Sequence, residues 1–559
     1  MAGGLLNIIS EGSANVMLTG NPSKTFFTVT YSKYTNFGLQ KFRLDYEGSR
    51  DLRPTEESVF TFKMKRYADL LMDTYLVVTL PDIWSPIYHP CPENNYTWAP
   101  YEFRWIRNIG ANMIKWIEIS CGSQTLQRYS GEYLAAMVER DFNSDKKDLF
   151  NRMSGNTNYF YDPANTSNRA NAYPSAFYSG AVAGEEPSIR GQTLYIPINT
   201  WFTLDSRCAF PLISLQYNEL IITVTMRSTQ ELFQVRDVFD YTNLYPYVAP
   251  DYNLERMKLY RFLQTPPAAN ISQGAYVNTT MTWNADIHLM STYCFLSNDE
   301  SKLFAAKDQV YLVKDVFQYD FLNVTGSSRV KLNSNGMITN WMWYLRRNDV
   351  NLRNEWSNYT NWPYLSQPQD VVPAPSYLPE GQTNIKLSNG STVTTGPIIQ
   401  PVSGYNTGYY ITGAYSSDNH KDILETMGIL LDGDYRENVQ TRGIFDYIEK
   451  YVRTNGSAKD GLYCYNFCLN TSPFEYQPSG AINLSRFKNI ELEVTTYIPT
   501  IDSSGAYFNV ICGTDGTPIG VSVKPSWMLY EYNYDMTLFE ERYNILSFIG
   551  GNCGMLYAR

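Results

Sequence analysis

The sequence predicts an all-β chain built as two large β-sandwiches or jelly rolls, with a few short helices and long loop insertions. Three observations predict it. Alternation of apolar and polar residues recurs along the chain, as in Thr74 to Leu80 (TYLVVTL), Lys115 to Ser120 (KWIEIS), Leu220 to Met226 (LIITVTM) and Ile490 to Thr495 (IELEVT), which is the pattern of strands with one buried face. The 559 residues exceed what one core holds, and two large β domains fit best. Between the alternating runs lie Gly, Pro and Asn turns, and helical spacing is brief.

Taken in order, residues 1–24 read as an N-terminal arm: MAGGLLNIIS places apolar residues before a Gly-Ser-Asn stretch, suited to reaching a neighbour or an internal face. The arm lacks the charged start and h-region length of a signal peptide, and glycine is third, not second, so N-myristoylation is not expected. The first sandwich is assigned to 25–234, with a long loop at about 143–191 rich in Asn, Ser, Ala and Gly. Val235 to Met257 mixes aromatics with proline without a sustained period, and is read as a packed linker. The second sandwich takes 258–559, with a longer insertion at about 356–419 and a hairpin expected around Asn389-Gly390. Helical spacing appears at Leu134, Met137 and Val138, at Leu303 in DESKLFAAK, and at Ile444, Phe445, Ile448, Tyr451 and Val452; these helices are expected to cap or cover a sandwich. The halves echo each other, because Ser214 and Asn218 have counterparts in Ser485 and Asn489, each pair just before an alternating strand.

Composition narrows the function. Charged residues are 18% and aromatics 15%, including 46 tyrosines, which suits large, partly polar protein interfaces. A net charge of −10 and the lack of a Lys/Arg run argue against direct nucleic-acid binding. No apolar run reaches the roughly 18–20 residues of a membrane span. Eight cysteines are scattered, and Cys464 and Cys468 are not spaced as CxxC, so zinc is not expected and reduced thiols are.

Catalytic constellations are weak. His89, His288 and His420 are dispersed, and no nucleophile-elbow or phosphate-loop motif stands in a confirming context. Asp432 with Asp434, or Asp299 with Glu300, are the available carboxylate pairs, read as a turn and a helix start. Trp341, Trp343 and Trp356 would have to supply a sugar platform, and are read as core or interface residues. The chain is therefore not expected to be an enzyme or to carry a catalytic, cofactor or metal site. The alternative is a secreted or surface carbohydrate-binding or glycoside-active β-sandwich protein.

One polar stretch asks for a structural reading, Tyr465 to Phe487, YNFCLNTSPFEYQPSGAINLSRF. Pro473 and Pro478 remove backbone donors and Gly480 permits positive φ, so strand pairing stops there. Asn470, Ser472, Ser479, Asn483 and Ser485 are placed to satisfy the freed backbone groups, making an ordered corner. Of the Asn-x-Ser/Thr sequons, Asn358 and Asn389 fall in the long insertion and are the candidates for glycosylation.

Several ordered blocks resemble the major capsid proteins of the nucleocytoplasmic large DNA viruses, especially mimivirus-like and algal-virus members. They are LTGNPSKTFFTVTYSKYTNFG, FTFKMKRYADLLMDTYLVVTLP, WIRNIGANMIKWIEISCGSQTLQRYSGEYL and LYIPINTWFTLDSRCAFPLISLQYNEL in the first half. LSNDESKLFAA, LDGDYREN, the corner stretch and YNILSFIGGNCGMLYAR follow in the second. The resemblance implies two tandem eight-stranded jelly rolls, homotrimers shaped as pseudo-hexagonal capsomers, and a shell tiled by trimer-trimer contacts. It implies minor capsid and penton proteins as further partners, contact with an inner membrane side through the arm, and a virion assembled in the host cytoplasm in a viral factory. The serine and lysine in LSNDESK depart from the family's usual acidic or arginine-rich version, and Trp356 to Asn419 has no counterpart in it.

Overall fold

The computed structural model describes residues 34–48, 51–85, 102–169, 173–176, 186–237, 246–265, 276–365, 420–457, 459–475, 477–499 and 532–557, and the backbone pairing of 384–386, 392–394, 508–512 and 518–523. The arm at 1–24, Asn389 and most of 356–419 lie outside them.

Eight principal strands make the first roll: β1 Gly38–Leu44, β2 Ser58–Lys63, β3 Leu70–Thr79, β4 Ile114–Cys121, β5 Gln124–Tyr129, β6 Thr193–Pro197, β7 Leu220–Met226 and β8 His288–Phe295. They form two antiparallel sheets, ordered β1-β8-β3-β6 and β2-β7-β4-β5. The second roll uses β9 Gln309–Phe321, β10 Ser327–Lys331, β11 Met337–Arg347, β12 Leu424–Leu431, β13 Asp434–Thr441, β14 Leu462–Asn466, β15 Ile490–Thr496 and β16 Tyr534–Ile549. Its sheets run β9-β16-β11-β14 and β10-β15-β12-β13, so every strand sits where its counterpart eight places earlier sits. Each roll is a jelly roll.

Alternation explains the strands locally. In β7 the side chains of Leu220, Ile222, Val224 and Met226 are buried while the intervening ones are half-buried, and β15 repeats the pattern with Ile490, Leu492 and Val494. The edge strand β13, DYRENVQT, is exposed along nearly its whole length, and its charges blunt an edge that would otherwise template further pairing. The duplication extends to single hydrogen bonds. Met64 N–H donates to Leu220 O and Leu332 N–H to Ile490 O, both at 2.9 Å, while Gly122 and Asp432 donate to the carbonyls of Glu219 and Asn489. The repeat thus aligns Glu219, not Asn218, with Asn489, one residue from the sequence echo.

Three boundaries differ from the sequence reading. The first roll does not end at 234: β8 pairs with β1 and β3, so the passage between rolls falls between Phe295 and Gln309, where α3 (Asn298–Ala306) lies. The segment read as a linker instead contributes the end of the strand Phe233–Arg236 and all of Tyr247–Val248 to a three-stranded sheet with Phe103–Trp105. Aromatic packing hid this strand content, which has too few residues to show a period. The loop at 143–191 contains α2 (Ser144–Met153), capped by the Asn143 side chain accepting from Lys146 N–H. The long insertion starts later than Trp356, because Trp356, Tyr359, Asn361 and Tyr364 are buried. Within it the expected hairpin is present, pairing Asn384–Lys386 with Thr392–Thr394.

Two large hydrophobic clusters fill most of the described interior. One is confined to the second roll and includes Trp341, Trp343, Leu492 and Leu538. The other belongs to the first roll but also takes Met342, Tyr344, Phe539 and Phe548 from the second. The rolls therefore share a core at their junction.

Candidate functional site: the junction between the rolls

The junction is organised by α1 (Gly131–Asp141), which follows β5 and is buried at every position except Glu139. Ser130 caps it by accepting from Tyr133 N–H at 3.3 Å. Gly131 lies so close to the Ala111 carbonyl that a Cβ would sit 1.9 Å from its oxygen, so only glycine starts this helix. Expected to cap or cover a sandwich, this helix lies against two of them, as a spacer between the rolls. Its apolar residues join the first-roll cluster, and Glu132, Tyr133 and Arg140 make bonds to the second roll.

Glu132 works at one end. It accepts from Arg227 of the first roll (3.0 Å), from Arg346 of the second (2.9 Å) and from the Tyr344 hydroxyl. Burial alone would raise its pKa, but Arg346 and Arg227 outweigh it and hold the carboxyl down at about 2. At the other end the buried Arg140 donates to Asp141 Oδ1 (3.0 Å), Asn340 Oδ1 (2.7 Å) and Glu541 Oε1 (2.6 Å). Glu541 also accepts from Tyr133 OH at 2.9 Å and Asn340 Nδ2 at 2.9 Å. Burial works against the Glu541 anion, yet Arg140 and Lys314 lower its pKa to about 2. Buried charges survive only when paired and hydrogen-bonded, and here each is.

The predicted corner sits over this network. It carries the chain from β14 in one sheet to β15 in the other. Leu469 N–H donates to Ser479 O, Asn470 N–H to Ser479 Oγ (3.1 Å), and Ser479 Oγ returns a bond to Asn470 O (2.9 Å). Asn470 Oδ1 accepts from Ser472 N–H, Asn483 Oδ1 from Ser485 N–H, and Ser485 Oγ from Gly336 N–H. Gly480 has φ +135°, where side chains are strained. Thr471 donates to Asp141 Oδ1 at 2.6 Å, and Pro473 and Pro478 line a cavity with Tyr133, Arg140, Lys314 and Glu541. The corner both turns the chain and roofs the junction, a second role that local sequence does not carry.

A further contact joins the start of the insertion to the three-stranded sheet of the first roll. Asn354 Nδ2 donates to the carbonyls of Gln230 and Phe233, Trp356 Nε1 to Glu231 O at 3.0 Å, and Tyr364 OH to Tyr247 O at 2.6 Å. At the base, Gln216 N–H donates to Gly551 O and the rings of Phe210 and Phe548 meet at 5.1 Å. Three separate sets of contacts join the two rolls.

Comparison with known proteins decides the family. One family model, described as the N-terminus of major capsid proteins, matches residues 25–262, and a second, the large eukaryotic DNA virus major capsid protein, matches 300–554. The chain belongs to the major capsid protein family of the large eukaryotic DNA viruses. It is 25% identical over 538 residues to the major capsid protein of Phaeocystis pouchetii virus, covering 90% of this chain and 94% of that protein. It is 22% identical over 566 residues to the major capsid protein of Paramecium bursaria Chlorella virus 1, covering 100% of both. Among solved structures, the Faustovirus major capsid protein has the same fold, with a TM-score of 0.58 at 14% identity over 93% of this chain and 92% of that one. The second match begins at residue 300, within α3, where the strand pairing separates the rolls, whereas the first ends at 262, before β8.

Members of this family are structural proteins, not enzymes, and the residues considered for other chemistry have structural work. Asp432, at φ +52°, accepts from Lys488 and Asn489 N–H at 2.8 Å in the β12–β13 turn. Asp299 and Glu300 occupy the first turn of α3. Trp341 is buried and donates to Glu540 Oε2, Trp343 is buried against Phe445, and Trp356 is held as above, so none forms an open platform. His288 Nδ1 lies 2.8 Å from Asp286 O, the His420 ring packs on Tyr497, and His89 is outside the described residues. Asn358 corrects the glycosylation expectation: it is 2% exposed, donates to Trp362 O at 2.7 Å and accepts from Thr360. Cys464 and Cys468 are buried free thiols, both raised by burial, Cys464 to about 12.

The residues that sequence reasoning missed are Glu132, Arg140, Asn340 and Glu541. A signal existed: the consecutive glutamates of TLFEERYNI interrupt an otherwise strand-like run. Their partners lie on distant segments, which pattern reading along one strand does not reach.

Proposed function

We propose that this chain is the repeating building block of an icosahedral virion shell, in which three copies associate into a pseudo-hexagonal capsomer and capsomers tile the facets. The observation that carries the reading is the identical strand order of the two rolls, with α1 packed between them. A chain presenting two near-equivalent lobes gives six lobes around a threefold axis, so a trimer imitates a six-sided tile. Permanent interfaces of this kind bury about 2,000–5,000 Å² and are more apolar than transient ones. The many tyrosines and low charge suit that.

Minor capsid and penton proteins are the further partners, the 1–24 arm faces the inner membrane side, and assembly takes place in the host cytoplasm; support for these comes from the family resemblance alone. The test is negative-stain imaging and native mass spectrometry of the purified chain. A pseudo-hexagonal disc of three chains is expected. A monomer under gentle conditions, at every concentration, contradicts the reading.

A further inference from the structure

The duplication of the fold leaves one surface without a counterpart inside the chain. In the first roll the connection from β5 to β6 carries α1, and α1 packs on the outer face of the β9-β16-β11-β14 sheet. In the second roll the connection from β13 to β14 also carries a helix, wound as a π-helix over Ile444–Ile448 and continuing as the α-helix Glu449–Arg453. One side of it is anchored: Phe445 is buried in the second-roll cluster, and the buried Lys450 donates to Asp446 Oδ1 at 2.7 Å. The other side carries Tyr447, Ile448, Tyr451 and Val452, all exposed, Tyr451 at 90% and Val452 at 56%.

Positions i, i+1, i+4 and i+5 make one stripe, and a stripe of four large apolar side chains facing water marks an interaction surface. The surface that α1 covers on the second roll also has its equivalent on the first, the outer face of the β1-β8-β3-β6 sheet. There Leu39 and Tyr195 are exposed, and Lys41 and Arg43 alternate with the inward-facing Phe42 and Leu44. Among the described residues, the chain therefore has a socketed helix with its sheet, and also a helix with an exposed stripe and an equivalent sheet whose outer face is covered at one end, where Phe304 of α3 packs on Leu70 and Cys294, and is open at Leu39, Lys41, Arg43 and Tyr195.

We propose that the stripe Tyr447, Ile448, Tyr451 and Val452 docks on the outer face of the β1-β8-β3-β6 sheet of a second copy of this chain, repeating between copies the α1 junction made within one. The inference rests on the trimer reading above and names its contact. In the trimer proposed above, the step from first roll to second inside a chain is repeated as the step from second roll to the next copy's first. A second copy is the occupant because its first-roll sheet is the counterpart of the surface that already receives α1.

The test uses the full-length chain. Ile448→Glu and Tyr451→Glu place a charge on the stripe at exposed positions, and mass photometry and light scattering read the oligomer while thermal melting checks the fold. Each variant is expected to weaken association by about 30-fold or more, as loss of an interface hot spot does. In parallel, Leu39→Cys combined with Tyr451→Cys is treated with a short bis-maleimide, and covalently linked chains are expected on a denaturing gel. Glutamate variants that melt normally and remain trimers at wild-type concentrations overturn the surface and leave the trimer standing. A wild-type chain that never trimerises overturns the trimer reading and this contact with it. Should a glutamate variant fail to fold, the cysteine pair decides, and a trimer without interchain linkage counts against the proposal.

Discussion

Gly456 donates its backbone N–H to the carbonyl oxygen of Arg140 at 2.8 Å, and a Cβ at this glycine would come within 2.3 Å of the same oxygen. The loop after the second-roll helix is thus pressed onto the C-terminal end of α1. Gly456→Val must push the two apart, and overpacking of this kind costs about 1–3 kcal/mol. A lower melting temperature by differential scanning calorimetry is the expected outcome, with Gly456→Ala milder than valine. An unchanged melt would mean the contact is slack.

Arg140 should be the most costly single truncation at the junction. Arg140→Met leaves Asp141 buried without its cation and Glu541 with only the more distant Lys314, and breaking a buried pair by removing one partner costs about 3–5 kcal/mol. Chemical denaturation should show this loss, and Arg140→Met combined with Glu541→Gln should lose less than the two single losses added together.

Acid should loosen the junction. The Glu132 and Glu541 carboxyls titrate at about 2 in the folded chain, below an ordinary value of 4.5. A depressed folded pKa stabilises fully above the unfolded value and ceases to do so as pH falls through the folded one. Melting temperature should therefore hold down to about pH 5 and drop between about pH 4.5 and 2. Glu541→Gln should flatten that drop, and a variant as acid-sensitive as wild type would remove Glu541 from the account.

The corner should resist branching at its glycine. Gly480 is at φ +135°, and a Cβ there would meet Phe467 O at 3.2 Å. Gly480→Val should cost about 1–3 kcal/mol through backbone strain and lower the yield of folded, assembled protein. Equal yields of valine variant and wild type from matched expression would refute this.

Asn358 should carry no sugar, because its amide nitrogen is spent on Trp362 O inside the packed start of the insertion. Peptide mapping by mass spectrometry should find it unmodified. Asn358→Ala should destabilise by about 1–3 kcal/mol by leaving backbone groups unpaired.

How much of this was legible beforehand follows from the range of each signal. Strands such as β7 and β15 announce themselves because half-burial imposes a two-residue period on contiguous residues. Within the corner, the bonds that sequence suggests are the local ones, Asn470 to Ser472 and Asn483 to Ser485, because their partners lie two residues apart. The boundary between rolls was misplaced because β8 belongs to the first roll only through pairing with β1 and β3, which lie far back in the chain. The junction was missed for the same reason: Arg140 meets Asn340 and Glu541 across long sequence separations, and a charged residue near the end of a short helix looks like a solvated one.

Met536 and Leu538 of β16 lie in the cluster confined to the second roll, whereas Phe539, Leu546 and Phe548 complete the cluster of the first. A single ribbon threaded through both interiors acts as a tie rod. The early-synthesised lobe stays unfinished on the ribosome until this late ribbon emerges, and strain applied to either lobe is passed along it to the other, so the pair should yield together under load.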